Sequence, residues 1–507
     1  MPADRANFGF KSGTNLCDPL TRFCPEQGIV GTFVNLSHSP YLMAQREARL
    51  GVVNTTTFFG DMLQSIAERG RALIDRARDR RELAEQRSES LVQLCEDLLS
   101  RRGEASGVAL AREILARYGE LKIGSRIAFF EALANRFGPD RARLSAAATA
   151  WVSSPTDAAA ATVHQASEPR RLELFRRLNL APGGTAALVH MRAQLIDVLD
   201  HRDDLAVVDS DFLHLFSSWF NRGFLVLRKI DWSTPASLLE KIIRYEAVHT
   251  IRDWNDLRAR VDSADRRCYA FFHPALIDEP LIFVEVALMR GVPAAIEPIL
   301  SDKRAPVELE RATTAVFYSI SNCQRGLTGV SFGHFLIKQV VEEVGRELPR
   351  LSTFVTLSPA PKFAEWLKRE RAAPTSALSG ENRAALATLD QPDWWRDAPT
   401  AERVREPLLR AAAWYYLHGR TPAGTPIDSV ARFHLGNGAR LERLNFLADI
   451  SERAMRQSHG LMVNYLYDLE DIERNHEAYA QQRTIVAASA ITRLIRAPAQ
   501  EIVPAEK

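Results

Sequence analysis

Thr313-Thr-Ala-Val-Phe-Tyr-Ser-Ile-Ser321, followed by Gln324-Arg-Gly-Leu-Thr-Gly-Val-Ser-Phe-Gly-His-Phe-Leu-Ile-Lys338, is the stretch on which the fold turns. Its first half is β-branched, aromatic and apolar on both faces, so it reads as a strand inside a sheet. Its second half is a Gly-rich turn opening a helix predicted from about Phe332 to Leu348. Such a turn presents backbone N–H groups and the positive end of a helix to an anion, which suits a pyrophosphate. The GKS/T of a Walker A loop and the GxGxxG of a dinucleotide fold are both absent. A tight strand-to-helix turn with no ligand is the simpler alternative for this segment read alone.

Outward from that stretch, Arg267–Phe272 and Pro280–Leu288 read as an antiparallel pair joined by a Pro-containing loop, and Gly223–Ile230 as a further strand. Downstream, Ser352–Leu357 is a strand expected to lie parallel to 313–321 across the intervening helix, and Phe363–Arg371 is helical. Residues 372–400, polar and rich in Pro, Ser and Asp, read as a loop excursion. Antiparallel strands followed by a βαβ unit predict one mixed α/β sheet domain over 206–507.

Before residue 200 no strand is evident. Phe59, Met62, Leu63, Ile66, Leu73 and Ile74 fall near one helical face, as do Leu91, Leu94, Cys95 and Leu98. The period restarts at Ile114, at Ile127 and at Leu172, punctuated by glycines and by Ala181-Pro-Gly-Gly184, before a helix over about Thr185–Leu199. The expected order is an irregular arm over 1–55, an all-α bundle over 56–205 and then the sheet domain.

At 507 residues the chain has room for roughly two to four domains of about 150 residues. Apolar residues make up 46% and charged residues 25%, which excludes a mostly disordered chain. Lys and Arg total 65 against 63 acidic residues, and this balance gives no pointer to a nucleic acid. Five cysteines without a CxxC pair indicate neither a disulfide framework nor a thiolate zinc site. There is no apolar run at the N-terminus to serve as a secretory signal, and no run of 18 apolar residues to span a membrane. A soluble, cytoplasmic protein is expected. His249, His273, His434 and His476 lack partners at metal-ligand spacing, and no serine sits in a GxSxG elbow.

Two polar residues stand out. Ser358 lies where a strand stops, before Pro359 and Pro361. If that strand is parallel to its neighbour, its C-terminal end adjoins the Gly-rich turn, where open α/β sheets bind ligands. A turn or cap serine is the bland alternative. His434, in Arg432-Phe-His-Leu-Gly-Asn-Gly438, can donate a proton near neutrality or serve as a structural histidine. The segments Ser458–Tyr465 and Glu473–Tyr479 read as helical, with His476 and Glu477 on a solvated face.

The segment Thr328–Ile337 resembles the acyl-CoA pyrophosphate loop of the GCN5-related acetyltransferase fold, with Gly329 and Gly333 in place, Thr328 where Gln or Arg is usual and Ser331 at the middle glycine. The order of motifs is similar to that of the malonyl-CoA decarboxylase family: Ser217–Leu225, Arg267–Tyr269, Glu279–Leu281, Gln324–Lys338, Leu357-Ser-Pro-Ala-Pro-Lys-Phe363, Phe433-His-Leu-Gly-Asn-Gly-Ala439 and Gly460–Tyr465. The resemblance implies a helical N-terminal domain used for self-association as a dimer or tetramer, and an acetyltransferase-like catalytic domain. It implies conversion of malonyl-CoA to acetyl-CoA and CO2 with no metal or organic cofactor. The family's catalytic serine matches Ser358 and its catalytic histidine His434. Its CoA-contacting loop matches Thr328, Gly329, Val330, Ser331, Phe332, Gly333 and His334, with Ile337 one turn on. Some relatives carry an acidic residue in place of Ser331, so no carboxylate role transfers there.

On that basis Ser358 is expected to orient the malonyl carboxylate and His434 to protonate the enolate left by CO2. Asn437 is expected to orient His434 or to donate to the thioester oxygen. Phe59, Phe130 and Phe137 suggest apolar surface available for self-association. An N-acyltransferase on the same fold and a non-catalytic acyl-CoA-binding regulator are the rival readings.

Overall fold

The computed structural model describes residues 89–100, 104–330, 332 and 336–495. The arm over 1–55 and the helical face from Phe59 to Ile74 lie outside the described residues, as do Ser331, Gly333 and His334.

From 89 to Trp219 every regular element is helical. Leu91, Cys95 and Leu98 bury against Ile114, Phe129, Leu133, Phe175 and Leu178, the apolar positions that recur at helical spacing. Phe175 stacks on Phe212 with ring centroids 4.2 Å apart. Burial of each such side chain is worth roughly 1.5–3 kcal/mol, enough to hold short helices together that are marginal alone. Asp140 caps the helix Arg141–Ser153 by accepting from the Ala142 and Arg143 amides. Phe130 and Phe137 are 1% and 0% exposed. They fill the bundle's own core and are not the outer apolar surface expected of them.

The sheet has eight strands: β1 (Val226–Ile230), β2 (Arg266–Phe272), β3 (Pro280–Met289), β4 (Thr314–Asn322), β5 (Thr353–Thr356), β6 (Ser358–Pro359), β7 (Arg440–Asn445) and β8 (Met462–Leu466). Its order is β1-β2-β3-β4-β5-β8-β6, with β7 on β8. The β1–β4 pairs are antiparallel, and β4 and β5 are parallel across the helix Leu336–Glu347. An N-terminal helix bundle thus precedes a mixed sheet with antiparallel and parallel pairs, as expected.

β4 and β5 pair only from Thr314↔Thr353 to Phe317↔Thr356. At that point Ser319 and Phe317 oppose Glu285 and Val286 of β3, so Tyr318 is an extra residue that bulges β4. β4 runs on to Asn322, while the other chain turns away and pairs Ser358 with Val463 of β8. The two strands therefore diverge, opening a crevice at the C-terminal end of β4.

Two segments depart from the sequence reading. Residues 372–400 are not a loop: they hold the helix Gly380–Leu386, 3-10 turns at Ala387–Asp390 and Trp394–Arg396, and the start of the helix Ala398–His418. Leu378, Leu386, Leu389 and Trp394 are buried there, and that burial drives the ordering. Ser458–Tyr465 is not helical throughout. The helix Glu452–Ser458 ends at His459 in the left-handed region, and the chain turns into β8.

Candidate active site

Ser358 begins β6 just past the divergence and is 6% exposed. His434 lies on the last turn of the helix Ser429–Gly436 and is 2% exposed. That helix is capped by Asp428, which accepts from the Ala431 amide at 2.9 Å. It stops at Gly438, where φ is +81° and a Cβ would lie 2.2 Å from the Ile472 carbonyl oxygen, so only glycine fits. His476 donates through Nδ1 to the Gly436 carbonyl at 2.8 Å. It is thus a half-buried buttress of this helix end rather than part of a solvated face, whereas Glu477 is exposed.

The two side chains meet: Ser358 Oγ is 3.0 Å from His434 Nε2. The far ring nitrogen, Nδ1, is 2.8 Å from the Tyr467 hydroxyl. Ser358 Oγ donates to Thr356 Oγ1 at 2.9 Å, and Thr356 Oγ1 accepts from the Tyr465 amide at 3.2 Å. Asn464 Nδ2 fixes the Thr356 carbonyl at 2.7 Å, and the Tyr465 ring stacks on the imidazole at 4.5 Å.

Burial pushes the His434 pKa down to about 3, so the ring is neutral at pH 7. Burial pushes Tyr467 well above its ordinary value, so the phenol keeps its proton. A neutral imidazole has one N–H and one lone pair. With the Tyr467 O–H donating to Nδ1, the remaining N–H is on Nε2 and faces Ser358, whose own proton goes to Thr356. The result is a one-way chain of donors from Tyr467 through His434 and Ser358 to Thr356.

Two cavities share the walls Asn322 and Phe433. One, of about 220 Å³, is lined by Tyr318, Ser358, Pro359 and His434. The other, of about 490 Å³, is lined by Gln324, Thr328, Gly329, Val330 and Phe332 from the turn, and by Gly436 and Asn437 across from it. The cleft so formed leads from the Gly-rich turn to the Ser–His pair.

The expected site residues therefore divide. Thr328, Gly329, Val330, Phe332 and Asn437 line the larger cavity, and Ser358 and His434 the smaller. Ile337 is buried in the core, and its neighbour Leu336 faces the cavity instead. Asn437 donates to the Phe433 carbonyl at 2.7 Å, and the imidazole is held by Tyr467. Tyr467, Thr356 and Tyr465 were not among the candidates read from sequence. The alternation Asn464-Tyr-Leu-Tyr467 marks a strand, but not what lies opposite it. Among the described residues no group of three His, Cys, Asp or Glu side chains is arranged to hold a metal ion, and no helix is long and apolar enough to cross a membrane.

Residues 137–220 match the family model described as the malonyl-CoA decarboxylase N-terminal domain, and residues 223–504 that described as the C-terminal domain. The chain belongs to the malonyl-CoA decarboxylase family. The mitochondrial malonyl-CoA decarboxylase of Anser anser anser is 35% identical over 417 residues, covering 75% of this chain and 82% of that protein. The Mus musculus enzyme of the same name is 35% identical over 353 residues, 64% of this chain and 71% of that one. The crystal structure of malonyl-CoA decarboxylase from Rhodopseudomonas palustris is 60% identical, with a TM-score of 0.78 over 80% of this chain and 99% of that chain. That from Agrobacterium vitis is 56% identical, with a TM-score of 0.76 over 80% of this chain and 100% of that one. The two malonyl-CoA decarboxylase models adjoin at the 3-10 turn Arg222–Phe224, between the last helix of the bundle and β1.

Proposed function

We propose that this chain converts malonyl-CoA to acetyl-CoA and CO2, with Ser358 and His434 at the reacting end. The observation that carries the reading is the 3.0 Å approach of Ser358 Oγ to His434 Nε2, 76 residues apart in sequence, in a cavity that shares walls with the one at the Gly-rich turn. The CoA phosphates lie against the turn, with Thr328, Gly329, Val330 and Phe332 beside them. The acyl arm follows the shared wall of Asn322 and Phe433 inward.

Malonyl-CoA is a β-carbonyl acid. Breaking its Cα–carboxylate bond sends the electron pair into the thioester as an enolate and releases CO2. On substrate binding the Ser358 hydroxyl turns its proton from Thr356 Oγ1 to the carboxylate and holds that group out of the thioester plane, so that this bond overlaps the carbonyl π system. The low-polarity chamber favours the delocalised enolate over the localised carboxylate. His434 then delivers the Nε2 proton to Cα, completing acetyl-CoA. One proton is consumed per turnover and is returned to the imidazole from water. The Tyr467 O–H, donating to Nδ1, keeps the proton on the nitrogen that faces substrate.

The test is turnover by folded Ser358→Ala and His434→Ala proteins. Each is expected to lose about 100- to 10,000-fold in kcat. Rates near those of the unaltered protein overturn the assignment. Release of CO2 from malonyl-CoA without any acceptor amine separates this reaction from N-acyl transfer, and turnover itself separates it from a non-catalytic acyl-CoA sensor.

The helical region over 56–205 carries self-association in this proposal, as a dimer or tetramer. The exposed apolar side chains Ile123, Trp151, Val152 and Leu180 support that role. The buried free thiols of Cys95, Cys268 and Cys323 fit a reducing, cytoplasmic setting.

A further inference from the structure

The Gly-rich turn is not self-supporting. Arg192, on the helix Gly184–Leu199 of the bundle, is 2% exposed and reaches the turn 134 residues away in sequence. Its Nη1 donates to the carbonyls of Gly326 at 2.7 Å and of Thr328 at 2.8 Å. Its Nε and Nη2 are held by the Asp209 carboxylate at 2.8 and 3.3 Å, which fixes the plane of the guanidinium. On the same helix Asp197 pairs with Arg325. Val189 sits directly under the turn: a Cβ on Gly326 would lie 1.8 Å from the Val189 carbonyl oxygen.

A trans peptide holds its C=O and N–H on opposite sides. Pinning the Thr328 carbonyl to Arg192 therefore turns the Gly329 N–H away from the bundle. Gly329 lines the larger cavity, with φ at +81°.

The structure assigns Arg192 as a positioning residue for substrate: from the helical bundle it sets the peptide orientation by which the turn grips the pyrophosphate of CoA. This rests on the CoA reading above. It makes the bundle part of the binding apparatus, with Asp209 and Gly326 as the two parts that seat the guanidinium and the turn.

The test compares Arg192→Gln with the unaltered protein on two substrates, malonyl-CoA and malonyl-pantetheine, which lacks the pyrophosphate and nucleotide. The expected result is a KM for malonyl-CoA raised about 10- to 100-fold with kcat within a factor of about 3, and little change in kcat/KM for malonyl-pantetheine. Equal loss on both substrates means general damage and overturns the assignment, as does an unchanged KM. If Arg192→Gln fails to fold, as judged by circular dichroism, Gly326→Ala lifts the turn off Val189 without removing a charge. It is expected to show the same substrate split, and its absence there overturns the assignment. If the unaltered protein turns over neither substrate, the decarboxylase reading fails. The assignment is then decided by calorimetric binding of CoA itself, which Arg192→Gln weakens by the same factor.

Discussion

The two ends of the cleft are built from different materials. The turn end is made of backbone: a short 3-10 turn, Arg325–Leu327, a left-handed glycine and carbonyls pinned by an arginine from another part of the chain. The Ser–His end is made of side chains packed between a sheet and a helix, with Thr356, Tyr465 and Tyr467 fixing every donor. The contrast teaches where sequence is free to drift. On the proposed reading, a backbone grip tolerates Thr328 where acetyltransferase loops carry Gln or Arg, provided the peptide planes stay fixed. On the proposed reaction, a side-chain relay tolerates no exchange of Ser358 or His434.

That contrast can be broken most forcefully at the relay. Beyond the two alanine variants above, Ser358→Thr keeps a hydroxyl but adds a methyl group beside Thr356. It is expected to lose about 100-fold in kcat, and a rate within tenfold of normal would make the side-chain end as permissive as the turn. Gly438→Ala attacks the helix end that carries His434. A left-handed φ and a 2.2 Å clash with the Ile472 carbonyl oxygen together predict a loss of about 2–4 kcal/mol in urea unfolding. An unaltered midpoint would show that His434 is held by something other than this turn.

Smaller effects sharpen the picture. Tyr467→Phe removes the donor at Nδ1 and lets the proton sit on either nitrogen. A fall in kcat of about tenfold with KM unchanged is expected, and a shift in KM instead would move Tyr467 from the relay to the binding wall. The last prediction concerns the acid side of the stability curve. His434 takes up a proton at about pH 3 when folded and near 6.5 when unfolded, so its neutral burial contributes fully above about pH 6.5. That contribution falls by about 1.4 kcal/mol per pH unit as pH drops towards 3. His434→Gln should flatten this slope by one proton. His249 and His459, each pushed down to about 4 by burial, keep theirs.

What sequence disclosed follows the same division. β4, the turn and the following helix were legible because an apolar run, a glycine cluster and a 3.6-residue period follow one another. Ser358 and His434 were legible through motif order, since neither carries a local signature. The helix begins at Leu336 among the described residues, which places Leu336 rather than Ile337 on the cavity. Residues 372–400 concealed their helices because each is about two turns or shorter before Ala398, too brief for periodicity to emerge over the prolines and serines. Tyr467 and Arg192 were invisible for another reason. Each acts on a group 33 or more residues away, and only strand pairing or docking of the bundle brings them there.

The seating of the turn on Val189 bears on how this protein can be cut. A shortened chain starting at β1 would keep the Ser–His pair and the whole sheet, yet its Gly-rich turn would face water with two carbonyls released and a glycine hanging over nothing. On the proposed reading such a fragment can retain the chemistry and still lose its hold on the molecule it acts upon, because the support of the turn comes from a bundle that the Ser–His pair does not touch.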